Sequence, residues 1–232
     1  LAKEGLLLFL WLSLILVLIQ QASTDNPLLA AVSIASLGIM VIAAKVHRHL
    51  ASWQWTLLAT IAISVVCAFS FGLLMGSEVT AFLTTVEAMF AAINSKQQDA
   101  KISLDLTESM LLGIVATLLA IGSIMSLMLA RWWQAGIYNP GGFQKEFHSF
   151  KIEAKVAVIL VAVLLAGQFM SKSSQIWSDL AVLPLLIAGI AMVHCVVKLF
   201  GQGRQWLAFL YVGFILAGKP VTVILLVLGL TD

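Results

Sequence analysis

The sequence predicts an all-α fold: a polytopic transmembrane helix bundle of about seven spans, with an outer amphipathic helix and a cytoplasmic interfacial helix. Three observations predict it. Apolar residues make up 61% of the 232 positions and charged residues only 10%, with a mean hydropathy of +1.05. A soluble domain carries roughly 45–50% apolar and about 25% charged residues, so this chain lacks the polar surface to cover a water-facing globule. Apolar residues also gather into runs with at most one charge, close to the ~20 residues that cross ~30 Å of hydrocarbon. Finally, Lys and Arg fall unevenly on alternate connections. Two cysteines and a net charge of +2 exclude a disulfide scaffold and a nucleic-acid binder.

Seven candidate runs emerge, the first only 15 residues long: Gly5 to Ile19, Pro27 to Ala44, Trp55 to Met75, Met110 to Ala130, Ala154 to Met170, Leu180 to Phe200 and Trp206 to Leu230. The first follows Lys3 like the apolar core of a signal peptide. It reads as a span because Gln20-Gln21-Ala22-Ser23 is a poor cleavage site and a second run starts at Pro27. The whole chain, 1–232, reads as one integral membrane domain. Leu1 is not Met, and Thr231 and Asp232 follow directly on an apolar run, so flanking sequence is expected at both ends.

Alternate connections place Lys3, Lys45, Arg48, Arg131, Lys145, Lys151, Lys155, Lys198 and Arg204 on one side, and Lys96, Lys101 and Lys172 on the other. Cytoplasmic loops retain basic residues, so the first side is cytoplasmic. Trp11, Trp53, Trp55, Trp132, Trp133, Trp177 and Trp206 mostly flank the runs and read as interfacial anchors.

In the fourth run Gly113, Ala116, Ala120 and Ser123 line one helical face, which lets a neighbouring helix approach closely. The connection after the third run is periodic: Phe82, Leu83, Val86, Phe90 and Ile93 share a stripe of about 100°, with Glu78, Thr84, Thr85 and Glu87 outside it. Residues 78–95 therefore read as an outer amphipathic helix, either a structural cap or a lid over a solute site.

Residues 131–152 form the most distinctive cytoplasmic stretch. Asn139-Pro140-Gly141-Gly142 must break the chain, and Phe143, Phe147 and Phe150 then recur at helical spacing. An interfacial elbow accounts for the pattern. A phosphate cradle built from the Gly141–Gly142 amides with Arg131 and Lys145 uses the same residues.

The segment Arg131-Trp132-Trp133-Gln134, followed by Tyr138-Asn139-Pro140-Gly141-Gly142-Phe143-Gln144-Lys145-Glu146-Phe147-His148, resembles the central signature of the YybS-like family of predicted bacterial membrane proteins. That resemblance implies a multi-pass protein of the bacterial cytoplasmic (inner) membrane, with no function attached. The family is in turn similar in fold to the solute-binding S-components of energy-coupling vitamin transporters and to rod-shape membrane proteins. This second likeness is one of fold and transfers no site residue.

In the last run, Gly213 to Pro220 nearly matches a phosphate loop, but Pro220 stands where a hydroxyl is needed and no strand precedes it. Trp206 to Ala217 is only twelve residues, ~18 Å at 1.5 Å per residue. Lys219 is therefore expected inside the membrane, beside a backbone carbonyl freed by Pro220. It binds an anionic solute, pairs with Asp179 or Glu108, or snorkels. His194 and Lys198 share a face, which reads as a hydrogen-bonded His beside a snorkelling Lys before it reads as a polar site. Cys67 and Cys195 lack ligand spacing, so neither a metal nor another cofactor is expected. No acid cluster or His pair marks an intramembrane enzyme.

Two functions stay open. One is a solute-binding or transport-associated component that borrows partner ATPase subunits. The other is an envelope assembly scaffold docking through the elbow.

Overall fold

A computed structural model describes residues 11–15, 18–19, 27–96, 106–203 and 205–231, and the side chains of these except Lys96. Regular structure among the described residues is entirely helical. From Pro27 onward, α1 spans Pro27–Leu50, α2 Trp53–Leu74, α3 Gly76–Lys96, α4 Glu108–Tyr138 and α5 Gly142–His148. After these come α6 Ala154–Gln168, α7 Lys172–Ser178, a 3-10 turn Asp179–Ala181, α8 Val182–Leu199 and α9 Gln205–Thr231.

Among the described residues, five helical stretches are long and apolar enough to cross a membrane: α1, α2, α4, the Lys172–Leu199 stretch and α9. They coincide with five of the seven predicted runs. Of the first run only residues 11–15 and 18–19 are described, and these are helical; its remainder lies outside the described residues. The fifth run is a shorter helix, the 15-residue α6, about 22 Å long at 1.5 Å per residue.

Local chemistry sets the ends. Pro27 opens α1, where a missing N–H costs nothing, and His47, Arg48 and His49 occupy its last turn, facing the negative end of the helix dipole. The Thr107 hydroxyl accepts from the Met110 N–H at the start of α4, and Ser171 does the same for Ser174 at α7. Asn139 ends α4, and Gly141 turns the chain with φ +82°, a conformation open chiefly to glycine.

Helices α1, α2 and α4 pack against one another, α7 lies across α4 and α6, and α8 pairs with α9. Small residues make these approaches close. The predicted stripe on α4 is buried at Gly113, Ala116, Ala120 and Ser123, and a Cβ on Gly113 would stand 2.4 Å from the Ile176 side chain. On α8, a Cβ on Gly189 would meet the Leu225 carbonyl oxygen at 1.9 Å. On the buried face of α2 the Thr56, Thr60 and Ser64 hydroxyls are satisfied, each donating to the carbonyl four residues back. Phe209, Ile215, Leu216, Val223 and Ile224 leave the outer face of α9 exposed and apolar, as a surface turned to lipid should be.

The described chain has two ends. At one, called here the elbow end, α1 stops, α2 starts and α4 gives way to α5. Lys45, Arg48, Arg131, Lys145, Lys151, Lys155 and Lys198 gather there, while Lys172 begins α7 at the other. α3 also belongs to the far end, where Val79 packs against Leu28 and Leu111 and Thr80 donates to Glu108 at 2.7 Å. The less exposed face of α3 carries Phe82, Leu83, Val86 and Phe90, while Ile93 of the predicted stripe is exposed.

One tryptophan departs from the anchor reading. Trp53 is 6% exposed, its indole tilted over the His47 ring at 4.3 Å and edge-on to Phe143 at 6.1 Å. Position near a helix end placed it at an interface, whereas the fold covers that end with α5.

Candidate functional site

The seven-residue helix α5 divides the elbow end into two cavities. Helical spacing explains the division: Phe143, Gln144, Phe147 and His148 fall on one face, and Glu146 on another. Phe143, Gln144, Phe147 and His148 line a cavity of about 550 Å³, together with Met125, Met128, Trp132, His194 and Tyr211. Glu146 lines a second of about 340 Å³, with His47, Trp53, Gln54, Arg131 and Lys151.

The larger cavity is apolar in its walls and polar at its rim. Methionines supply soft, adaptable surface, and Phe143 and Phe147 stack with ring centroids 5.8 Å apart. The Phe147 ring meets His194 edge-on at 5.5 Å. His194 Nε2 shares a 2.8 Å hydrogen bond with the Tyr211 hydroxyl, tying α8 to α9. Lys198 Nζ donates to Gln144 Oε1 at 3.3 Å, tying α8 to the elbow. Partial burial and the Lys198 ammonium hold His148 below its ordinary pKa, so the His148 imidazole is neutral near pH 7 and Lys198 carries the charge at this rim.

The smaller cavity is polar. Arg131 donates through Nη2 to Glu146 Oε1 and through Nη1 to Gln134 Oε1 at 2.6 Å, so an ion pair fastens the end of α4 to α5. His47 Nε2 lies 4.0 Å from Glu146 Oε2, and its Nδ1 is 3.2 Å from Thr56 Oγ1. Because the Thr56 hydroxyl already donates to the Ser52 carbonyl, Nδ1 is the donor in that contact. Gln54 Oε1 accepts from the Glu153 backbone N–H at 2.6 Å. Trp53 Nε1, Gln54 Nε2, Arg131 Nε and Glu146 Oε2 are buried with no hydrogen-bond partner.

The fold brings together part of the predicted site. Arg131 and His194 each line a cavity, and Trp132 and Gly141 border the larger one. Lys145 is exposed and lines neither. Two parts of the expected amide cradle are engaged elsewhere. The Gly142 N–H is committed to the Asn139 carbonyl at 2.8 Å, and Arg131 is held by Glu146 and Gln134. Asn139, Pro140, Gly141 and Gly142 instead make the turn into α5, where a Cβ on Gly142 would strike the Asn139 side chain at 2.5 Å. Trp133 is exposed beside Trp132.

Lys219 and Pro220 are exposed on α9 and line neither cavity. The broken helix does occur: Ala217 leaves helical geometry at φ −123°, ψ 32° within Gln205–Thr231. No ion pair joins Lys219 to Asp179 or Glu108, and Glu108 accepts from Thr80 instead. Lys219→Ala is accordingly expected to leave the melting temperature of purified protein unchanged within about 1 °C, as for other exposed substitutions.

No family model matches the chain, and no curated protein or solved structure matches it either. Five long apolar helices with lipid-like outward faces make it an integral membrane protein.

Sequence reasoning passed over Glu146, His47, Gln54 and Tyr211. Glu146 had a readable signal, being the only acid between residues 131 and 152 in a stretch rich in basic side chains. His47 and Gln54 had none, because their partners come from segments distant in sequence.

Proposed function

We propose that this chain is a solute-binding, transport-associated component of the bacterial cytoplasmic membrane, a YybS-like protein of about seven spans without an ATPase of its own. The observation that carries the reading is the cavity of about 550 Å³ bounded by α4, α5, α8 and α9. Its size and its few polar groups on apolar walls are those of small-molecule sites. The solute this chemistry fits has an apolar or aromatic body, held by Met125, Met128, Phe143 and Phe147, and a polar group directed to His194 and Tyr211. The basic side chains gathered at the elbow end favour a cytoplasmic elbow, which is where partner ATPase subunits would dock. α3 then covers the outer end as a cap, far from the cavity.

A panel of vitamins and nucleosides, added to purified protein, tests the reading. One member is expected to raise the melting temperature, since ligand at about 100 times its Kd adds roughly 2.7 kcal/mol. His194→Ala is expected to abolish that rise, while Lys219→Ala preserves it. A flat response across the panel, together with no solute retained in native mass spectrometry, would remove the solute-binding reading.

The scaffold reading draws on a different observation. Trp132, Trp133, Ile137 and Tyr138 stand exposed side by side at the end of α4. Envelope proteins that co-purify with the intact chain and are lost on Trp133→Ala would favour it.

A further inference from the structure

We infer that the smaller cavity, beside Arg131, is a binding site for a phosphate-type oxyanion, and that Glu146 is a tethered anion holding its place until one arrives. The inference goes beyond solute binding in the larger cavity and stands apart from it.

Donors outnumber acceptors around this cavity. Arg131, Lys151, Trp53 and Gln54 line it with donors, whereas His47 spends its Nδ1–H on Thr56 and Glu146 is the one acid among the lining residues. Gln54 and Trp53 are 5% and 6% exposed, and each keeps an unpartnered nitrogen. The Gln54 orientation is not arbitrary: a backbone N–H already occupies Oε1, so the amide NH₂ must be the free half. An indole nitrogen can only donate. A ligand that suits these groups is therefore rich in acceptors.

The backbone adds to this field. Ala51, Ser52, Trp53 and Gln54 bring the start of α2 to the cavity wall. Ser52 caps α2 with no side-chain hydrogen bond, and the first turn holds no acidic residue. The positive end of a 22-residue helix thus meets the cavity without its usual negative partner.

The Arg131–Glu146 pair itself is half made. Nη2 reaches Oε1, but Nε and Oε2 have no hydrogen-bond partners, so the guanidinium edge is filled at one position of two. A phosphate takes Nε and Nη2 together in the fork geometry that arginine favours. It also has oxygens left for Gln54, Trp53 and Lys151. Glu146, with its side chain 34% exposed, is free to swing into water and yield its place. An inorganic phosphate ion and the phosphate of a lipid headgroup share this chemistry.

The test uses the full chain, purified without phosphate, in two arms. Inorganic phosphate is titrated calorimetrically into detergent-solubilised protein, and lipid retention is read by native mass spectrometry from nanodiscs with and without phosphatidate. Binding in the first arm identifies a free ion, retention of phosphatidate over phosphatidylcholine identifies a headgroup, and either supports the site. Glu146→Gln is expected to tighten binding about fivefold by removing the internal competitor. Arg131→Lys keeps the charge but loses the fork and is expected to weaken binding about tenfold. Lys151→Ala, at an exposed position, is expected to weaken it about threefold and decides the matter if Arg131→Lys fails to fold. Absence of binding in both arms overturns the proposal, and so does Glu146→Gln that leaves affinity unchanged or lower.

Discussion

Gly189→Val is expected to unseat α9 from α8. The atom in the way is the Leu225 carbonyl oxygen, 1.9 Å from where a Cβ would stand, and a backbone atom cannot rotate aside as a side-chain tip can. Gly229 on α9 is as tightly placed against the Leu185 carbonyl, at 2.4 Å, so the two glycines form a reciprocal seam. Forcing atoms into packed interiors costs about 1–3 kcal/mol when side chains can shift; here two backbones must part, and a loss of roughly 3 kcal/mol or more follows. The measurement is the thermal midpoint in detergent, with Gly122→Ala as control. An added Cβ there meets nothing within 4 Å. Equal melting of the two variants would show that the seam carries no packing.

Trp53→Ala is expected to have an effect of similar size, roughly 3–5 kcal/mol, the usual loss when a buried aromatic is truncated. Its indole touches His47 and Phe143, so its removal also takes away the contact that ties α1 and α5 to the start of α2. Trp133→Ala, at a position 65% exposed, is expected to shift the midpoint by less than a quarter as much. Comparable losses would mean that both rings serve as membrane anchors and that Trp53 has no special place in the interior.

The spans were legible because hydropathy and length report directly on bilayer crossing, and the α4 stripe was legible because small residues at helical spacing have one dominant use. Face and partner were not. Lys219 drew attention through its depth in an apolar run, but a run's hydropathy does not state which side of the helix a residue occupies, and the fold turns it outward. Arg131 was legible as a charged residue in a distinctive motif. Its partner Glu146 lies fifteen positions away, across a turn whose direction only the folded chain specifies. The Gly141–Gly142 pair shows the same limit: the sequence marks a break, and backbone hydrogen bonding decides whether its amides are available.

On the seven-span reading proposed above, the short helix α6 crosses the bilayer and leaves a mark on the lipid around it. About 22 Å of helix beside ~30 Å of hydrocarbon is a mismatch of several ångströms, which a bilayer relieves by thinning locally at a fraction of a kcal/mol per ångström. The membrane should be pinched along this flank, and the protein should melt higher in short-chain phosphatidylcholines than in long-chain ones. Acyl-chain thickness thereby becomes an external control on how firmly the elbow end is held together.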